Sequence, residues 1–414
     1  MDHQMGNKEG RVGMTNNKRW LYLGVGTMML IFCGLIYGWS LFRTPLSEIY
    51  RDWSLSQLSL TFTISMIFLC LGGFAAGKLA SKIPPQVIIM ISACLLLMGF
   101  FGVSRMNPQN SSQSLTMLYL CYGLLGSTGV GLSYNGVIST INKWFPDKQA
   151  TASGIMMMGF GLGAVILGSI ADRLIAAKGI FNTFFILGIL IFVVLTAGSF
   201  FIKEPKTLAD ETESEILEGK TPGEMLRSRS FWIFMVYCVI ANAAGLMVVN
   251  SAAPIALSFG APAIVGMVVS VCNGGGRVLI GAIFDRFGRK RTMLFNICVL
   301  CAAGTVLLMG AKTASIALII AGLLLTGISY GGTPTISSAF TNSQYGPKYF
   351  PVNFGIGNFS LIPAAIVGPM ISSNLVERAD GAYDTTFIAM VVCAVCALVL
   401  WVILNAVCQN ETRK

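Results

Sequence analysis

The chain has 414 residues, 54% of them hydrophobic and only 11% charged, with a formal net charge of +10. A soluble domain carries about 25% charged residues, so this deficit, with many apolar runs of about 20 residues, excludes a soluble globular protein and indicates a polytopic membrane protein. The positive charge does not indicate a nucleic-acid partner, because the basic residues sit in short loops between apolar runs, as the positive-inside rule expects.

In chain order, residues 1–18 form a polar tail expected to lack regular structure, and it holds the one histidine, His3. Twelve apolar runs follow, at about 19–42, 57–77, 85–105, 114–139, 149–171, 180–202, 230–254, 262–284, 291–311, 314–338, 350–373 and 385–408. The first is too long for the apolar core of a cleavable signal peptide and is followed by further spans. Runs this long fit helices rather than barrel strands. The predicted fold class is an all-α polytopic membrane protein, with twelve transmembrane helices in two pseudo-symmetric six-helix bundles. The expected organisation is a cytoplasmic tail (1–18), an N-terminal bundle (19–202), a cytoplasmic linker (203–229), a C-terminal bundle (230–408) and a second cytoplasmic tail (409–414).

Most of the 28 lysines and arginines fall on one side of these spans, including Lys78, Lys82, Lys143, Lys148, Arg286, Arg289, Lys290, Arg291 and Lys348. The other side holds Arg43, Arg51, Arg105, Arg173, Lys178, Lys312 and Arg378. This bias predicts both termini in the cytoplasm of a multi-pass protein of the cell membrane. Trp20, Trp53, Trp144 and Trp232 fall at span edges and suit interfacial anchoring. The eleven cysteines lie in or beside apolar spans. They read as small buried hydrophobes, including the closely spaced Cys298/Cys301 and Cys393/Cys396. No metal or cofactor is expected, and no nucleophile–base pair points to an enzyme.

Residues 203–229 are polar and acidic and divide the spans six and six, which reads as a solvated linker. The two halves echo each other at an offset near 200 residues. Tyr122-Gly-Leu-Leu-Gly matches Ala321-Gly-Leu-Leu-Leu, Gly154 matches Gly355, and the turn from Gly77 matches the turn from Gly281. A repeated six-span half suits an alternating-access carrier with its solute near the midplane. In span five, Gly154, Gly159, Gly161, Gly163 and Gly168 suit close helix contact.

Span eight carries the one arginine set deep in an apolar run, Arg277, just after Gly274, Gly275 and Gly276. A charge at a helix centre costs about 2.5–3.5 kcal/mol on insertion scales. Arg277 lies eight residues before Asp285, hence about 12 Å from that turn at 1.5 Å per residue. No span interior holds an Asp or Glu to neutralise it. Its planar fork suits a carboxylate, so the expected partner is a small organic anion. An empty carrier would have to occlude an unpaired cation, which is costly, whereas a loaded one occludes a neutral pair. Anion exchange is therefore expected, with proton symport as the alternative coupling.

Gly281-Ala-Ile-Phe-Asp-Arg-Phe-Gly-Arg-Lys resembles the G-x-x-x-D-R-x-G-R-K signature of the major facilitator superfamily. Over nearly the whole chain, Tyr37-Gly-Trp-Ser, Lys143-Trp-Phe-Pro-Asp-Lys, Gly159-Phe-Gly-Leu-Gly, Glu224-Met-Leu and Phe231-Trp resemble the oxalate/formate antiporter family, a relative of the monocarboxylate porters. The resemblance implies the major facilitator fold and a carboxylate held by Arg277. It implies Asn273, one helical turn earlier, as a polar contact, and Tyr37, Tyr119 or Tyr122, and Tyr330 as cavity-lining aromatics. It also implies a conformational latch at Gly281, Asp285, Arg286, Gly288 and Arg289. Ser81 stands where the first-half copy of the signature would have Asp. Oxalate carriers have a lysine in span eleven, whereas residues 350–373 contain no Lys or Arg and Asn358 is placed near that position. Animal-type porters have an acid where Asn273 stands. These departures favour a monocarboxylate such as lactate, pyruvate or formate, carried by a monomer within lipid. The alternatives are an oxalate-like dicarboxylate, a neutral solute or drug, and a membrane sensor built on a carrier-like body.

Overall fold

The computed structural model describes residues 2–205, 219–262 and 264–412. Their regular structure is all helical, with no strand among the described residues. Eleven helices are long and apolar enough to cross a membrane. One of them, Ile264–Thr313, is two spans joined at Gly288, where φ is 74° and the helix is interrupted. The left-handed region is costly for a residue with a Cβ, so glycine makes this sharp turn between spans eight and nine. The twelve expected spans are therefore all present.

Several helices outrun their apolar stretches. Span five is Gln149–Lys178 and span ten is Ile316–Tyr345, whereas span six, Ile180–Phe201, keeps to its apolar run. Hydropathy marks where a helix meets hydrocarbon, while its internal hydrogen bonds continue into the polar interface. The expected unstructured tail is corrected in the same sense, since the first helix is continuous over Asp2–Cys33. Polar caps fix other ends. Ser54 and Gln57 form a reciprocal capping box at the start of span two, Leu55–Leu79, and Pro85 opens span three, Pro85–Ser104.

Three spans lose α-helical regularity in mid-course. Span one passes through a 3-10 stretch, Gly34–Gly38, before Trp39–Ile49. Span four passes through a π stretch, Tyr119–Gly126, between Ser111–Leu118 and Ser127–Asn142. Span eleven passes through Asn358–Ser360, between Phe350–Gly357 and Leu361–Arg378. Such interruptions recur at functional positions in helices. Span seven is Arg229–Val249 and span twelve is Asp384–Thr412.

Spans one to six share one apolar core, in which Phe42, Phe100 and Phe184 are buried. Spans seven to twelve form two further clusters, one around Val269, Leu300 and Phe387 and one around Phe234, Met293 and Phe340. The halves meet closely at the face carrying Lys143, Lys148 and Arg286 to Arg291, here called the basic face. Gly281 of span eight packs on span five, where an added Cβ would lie 2.4 Å from the Ala150 carbonyl oxygen. Gly77 of span two packs equivalently on span eleven, where a Cβ would lie 2.4 Å from the Pro351 carbonyl oxygen. The sequence echo between these two glycines thus corresponds to equivalent contacts.

Residues 206–218 of the expected linker lie outside the described residues. Its end is docked rather than solvated. The Lys220 N–H donates to the Tyr345 carbonyl at 2.7 Å, and Asn353 Nδ2 donates to the Lys220 carbonyl at 3.0 Å. The short helix Pro222–Arg227 starts in a Thr221/Glu224 capping box and buries Met225 completely. The buried Met225 side chain and the two hydrogen bonds at Lys220 together dock this segment onto the second half.

Candidate functional site

Arg277 is 4% exposed, so its side chain faces neither lipid nor water. Its Nη1 donates to the main-chain carbonyl of Met157 at 2.5 Å, and its Nε donates to Asn273 Oδ1 at 3.3 Å. Asn273 reaches it because residues four apart share a helix face. Among the described residues the ion pairs are Arg19–Asp147, Lys143–Glu204 and Lys220–Glu411, and no carboxylate lies within 4.0 Å of the Arg277 guanidinium. The cation is held by dipoles alone, an arrangement that leaves room for a stronger acceptor.

Three tyrosines lie close enough to sense this charge, Tyr37, Tyr134 and Tyr330. Phe160 of span five separates two of them, with ring centroids 5.2 Å from Tyr37 and 4.8 Å from Tyr134. Tyr330 is fixed from behind by span seven, since a Cβ on Gly245 would lie 2.7 Å from its own Cβ. Cys70 of span two lies near Tyr37 and Tyr134, and its thiol donates to the Asn358 carbonyl at 3.3 Å. Asn358 therefore borders the site through its main chain, next to Cys70. Spans one, two, four, five, eight, ten and eleven all contribute.

Two expected residues lie elsewhere. Tyr122 is packed in the core of the first half, 5.1 Å from Trp39, 6.0 Å from Phe100 and 6.1 Å from Phe184. Tyr119 donates its hydroxyl to the Gln57 carbonyl at 2.9 Å, near the start of span two. The reason is depth. Tyr122 lies twenty residues before Asn142, the basic-face end of span four, a rise of about 30 Å that carries it to the opposite side. Tyr134 lies only eight residues before that end, Met157 eight residues after Gln149, and Arg277 eight residues before Asp285. All three share a depth of about 12 Å. Counting back from each span end would have selected Tyr134 in place of Tyr119 and Tyr122. Met157 contributes only a carbonyl, which no side-chain pattern signals.

The expected latch residues separate into two groups. Asp285 accepts from the main-chain N–H groups of Ala150 at 3.0 Å and Thr151 at 2.8 Å, and from the Thr151 hydroxyl at 2.6 Å. It caps the N-terminus of span five from the other half, where a carboxylate also meets the helix dipole. Gly281 allows the approach and Gly288 makes the turn. Arg289 instead bonds Gln344 of span ten and lies 5.6 Å above the Phe340 ring, both within the second half. Arg286 lies 5.2 Å above the ring of its neighbour Phe287. In the first half, Ser81 bonds only the nearby Lys78 carbonyl at 3.2 Å. Cross-half closure there comes from Asn135, whose amide donates to the Pro351 carbonyl at 2.8 Å. Ser153 and Ser338 add a further cross-half bond of 3.0 Å.

The chain matches the Major Facilitator Superfamily model over residues 27–361 and 240–409. It is 26% identical over 375 residues to an oxalate:formate antiporter of Oxalobacter formigenes, covering 88% of this chain and 86% of that protein. It is 27% identical over 351 residues to the uncharacterized MFS-type transporter YhjX of Escherichia coli K12, covering 82% and 83%. The fold resembles that of the proton:xylose symporter XylE, with a TM-score of 0.74 at 16% identity over 94% of this chain and 96% of that one. It also resembles the transporter FucP in its outward conformation, with a TM-score of 0.66 at 13% identity over 94% and 99%.

Proposed function

The chain belongs to the Major Facilitator Superfamily, and we propose that the solute this secondary carrier moves is a small organic carboxylate bound at Arg277. The observation that carries the reading is a buried guanidinium with no carboxylate among the described residues within 4.0 Å. A relative named as an oxalate:formate antiporter supports the same class of solute. One arginine amid tyrosines, with no Lys or Arg within residues 350–373 of span eleven, suits one carboxylate better than two and favours a monocarboxylate such as formate, lactate or pyruvate. Asn273 and the tyrosines supply neutral hydrogen bonds around it.

In this reading residues 19–202 and 230–408 are two bundles that rock about the site, joined by 203–229. The basic face is the cytoplasmic one, in the cell membrane, and a single chain suffices. The structure is closed at that face by Asp285, Asn135 and Ser153. Exchange follows because the loaded site is neutral, with proton symport the competing form of coupling.

The test is uptake of radiolabelled formate, lactate, pyruvate and oxalate into liposomes holding the wild type, Arg277→Ala or Arg277→Lys. The small monocarboxylates should compete best. Arg277→Ala should abolish uptake. Arg277→Lys should lose roughly tenfold or more, because a bidentate charged contact becomes single and each charged hydrogen bond contributes about 1.5–3 kcal/mol. Undiminished uptake by Arg277→Ala, or transport of neutral solutes alone, would contradict the reading.

A further inference from the structure

We propose that Arg277 is also a strap between the two halves, and that the Met157 carbonyl occupies in the empty protein the place a substrate carboxylate oxygen takes. The second clause rests on the carboxylate reading above; the strap itself does not.

The bond from Arg277 Nη1 to the Met157 carbonyl crosses from span eight to span five, and so from one half to the other. It is one of several successive contacts between these helices, which continue past it to Gly274 beside Met158 and Leu162. Nearest the basic face, Gly281 lies against Ala150. Next, a Cβ on Gly154 would lie 2.4 Å from the Arg277 carbonyl oxygen. Deeper still, the guanidinium lies over Gly161, where a Cβ would stand 3.2 Å from Cζ, 3.3 Å from Nη2 and 3.4 Å from Nη1. A Cβ at 161 would shift the guanidinium by a few tenths of an ångström and a branched side chain by more, so Gly161 is a positioning residue for Arg277. Met157 lies one turn before Gly161, so the bare turn at 161 is what leaves its carbonyl within reach.

The seat fits the charge logic of the site. A helix carbonyl offers a partial negative charge, whereas a carboxylate offers a full one and can bind both arms of the fork. An arriving anion therefore outcompetes Met157 for Arg277. Binding then removes one of the links holding the basic face shut and leaves Asp285 as the principal clasp. A ligand shifts a conformational equilibrium only by binding its states differently, and this exchange of partners supplies the difference.

The strap is tested without any ligand, by hydrogen–deuterium exchange on the full-length protein in lipid nanodiscs. The peptides followed are residues 149–160 and 278–287, with span six, Ile180–Phe201, as reference. Arg277→Met and Gly161→Val should raise exchange in both peptides about tenfold over the empty wild type, with Gly161→Ala intermediate and span six unchanged. Arg277→Met removes the bond without added bulk, so the test stands even if Gly161→Val does not fold. Wild-type protection retained in Arg277→Met and Gly161→Ala would overturn the strap. Adding formate or lactate to the wild type should move the same peptides in the same direction. If the empty variants loosen and neither anion has any effect, the strap stands and the carboxylate reading fails for those anions.

Discussion

Arg277 was legible in the sequence because a lone cation inside an apolar run is costly and has few explanations. The structure leaves it buried, with no carboxylate among the described residues within 4.0 Å, and that observation supports the proposed anionic solute. The tyrosines were less legible, since an aromatic residue suits an apolar span whether it lines a site or fills a core. Depth separates them, with Tyr134 level with Arg277 and Tyr119 and Tyr122 on the far side. A neutral hydrogen bond contributes about 0.5–1.5 kcal/mol. Tyr134→Phe should therefore raise the KM for the transported carboxylate roughly three- to tenfold. Tyr122→Phe should leave it unchanged, because the Tyr122 hydroxyl has no hydrogen-bond partner among the described residues. Transport assays on the two variants at equal expression decide this, and the reverse ranking would return the site to Tyr122.

At the scale of elements, spans were plain from hydropathy but their ends were not, because helices continue past the hydrocarbon. The turn at Gly288 was marked by its signature, while the non-α stretches in spans one, four and eleven carried no such mark. A π or 3-10 turn depends on packing more than on local composition. The clearest device at this scale is Asp285 capping span five across the halves. A lost cap typically costs about 1 kcal/mol. Asp285→Asn keeps the shape but weakens the charge on the helix dipole, so it should shift the protein roughly fivefold toward the form open at the basic face. Labelling of a single cysteine placed at Thr151 in a background without reactive thiols reports that shift. Unchanged labelling would mean that Asp285 does not hold the face closed. Ser81, at the equivalent place in the first half, makes no such cap, so Ser81→Ala should leave labelling as it is.

For the whole molecule, the repeat of six spans was visible as paired glycines, and the structure shows why these pairs persist. Gly77 on Pro351 and Gly281 on Ala150 are two of the places where the halves approach backbone to backbone, together with Gly154 on Arg277 and Gly355 on Gly73. The docked end of the linker was not visible, because Met225 is only one of several scattered apolar residues in a polar stretch. The central claim is that the solute brings the charge Arg277 lacks, so that the carrier crosses readily only when loaded. The direct measurement compares counterflow with net uptake of the same monocarboxylate in liposomes, with and without an imposed proton gradient. The account predicts counterflow at least tenfold faster than net uptake and insensitive to the gradient. Equal rates in the two modes, or net uptake that follows the proton gradient, would contradict it.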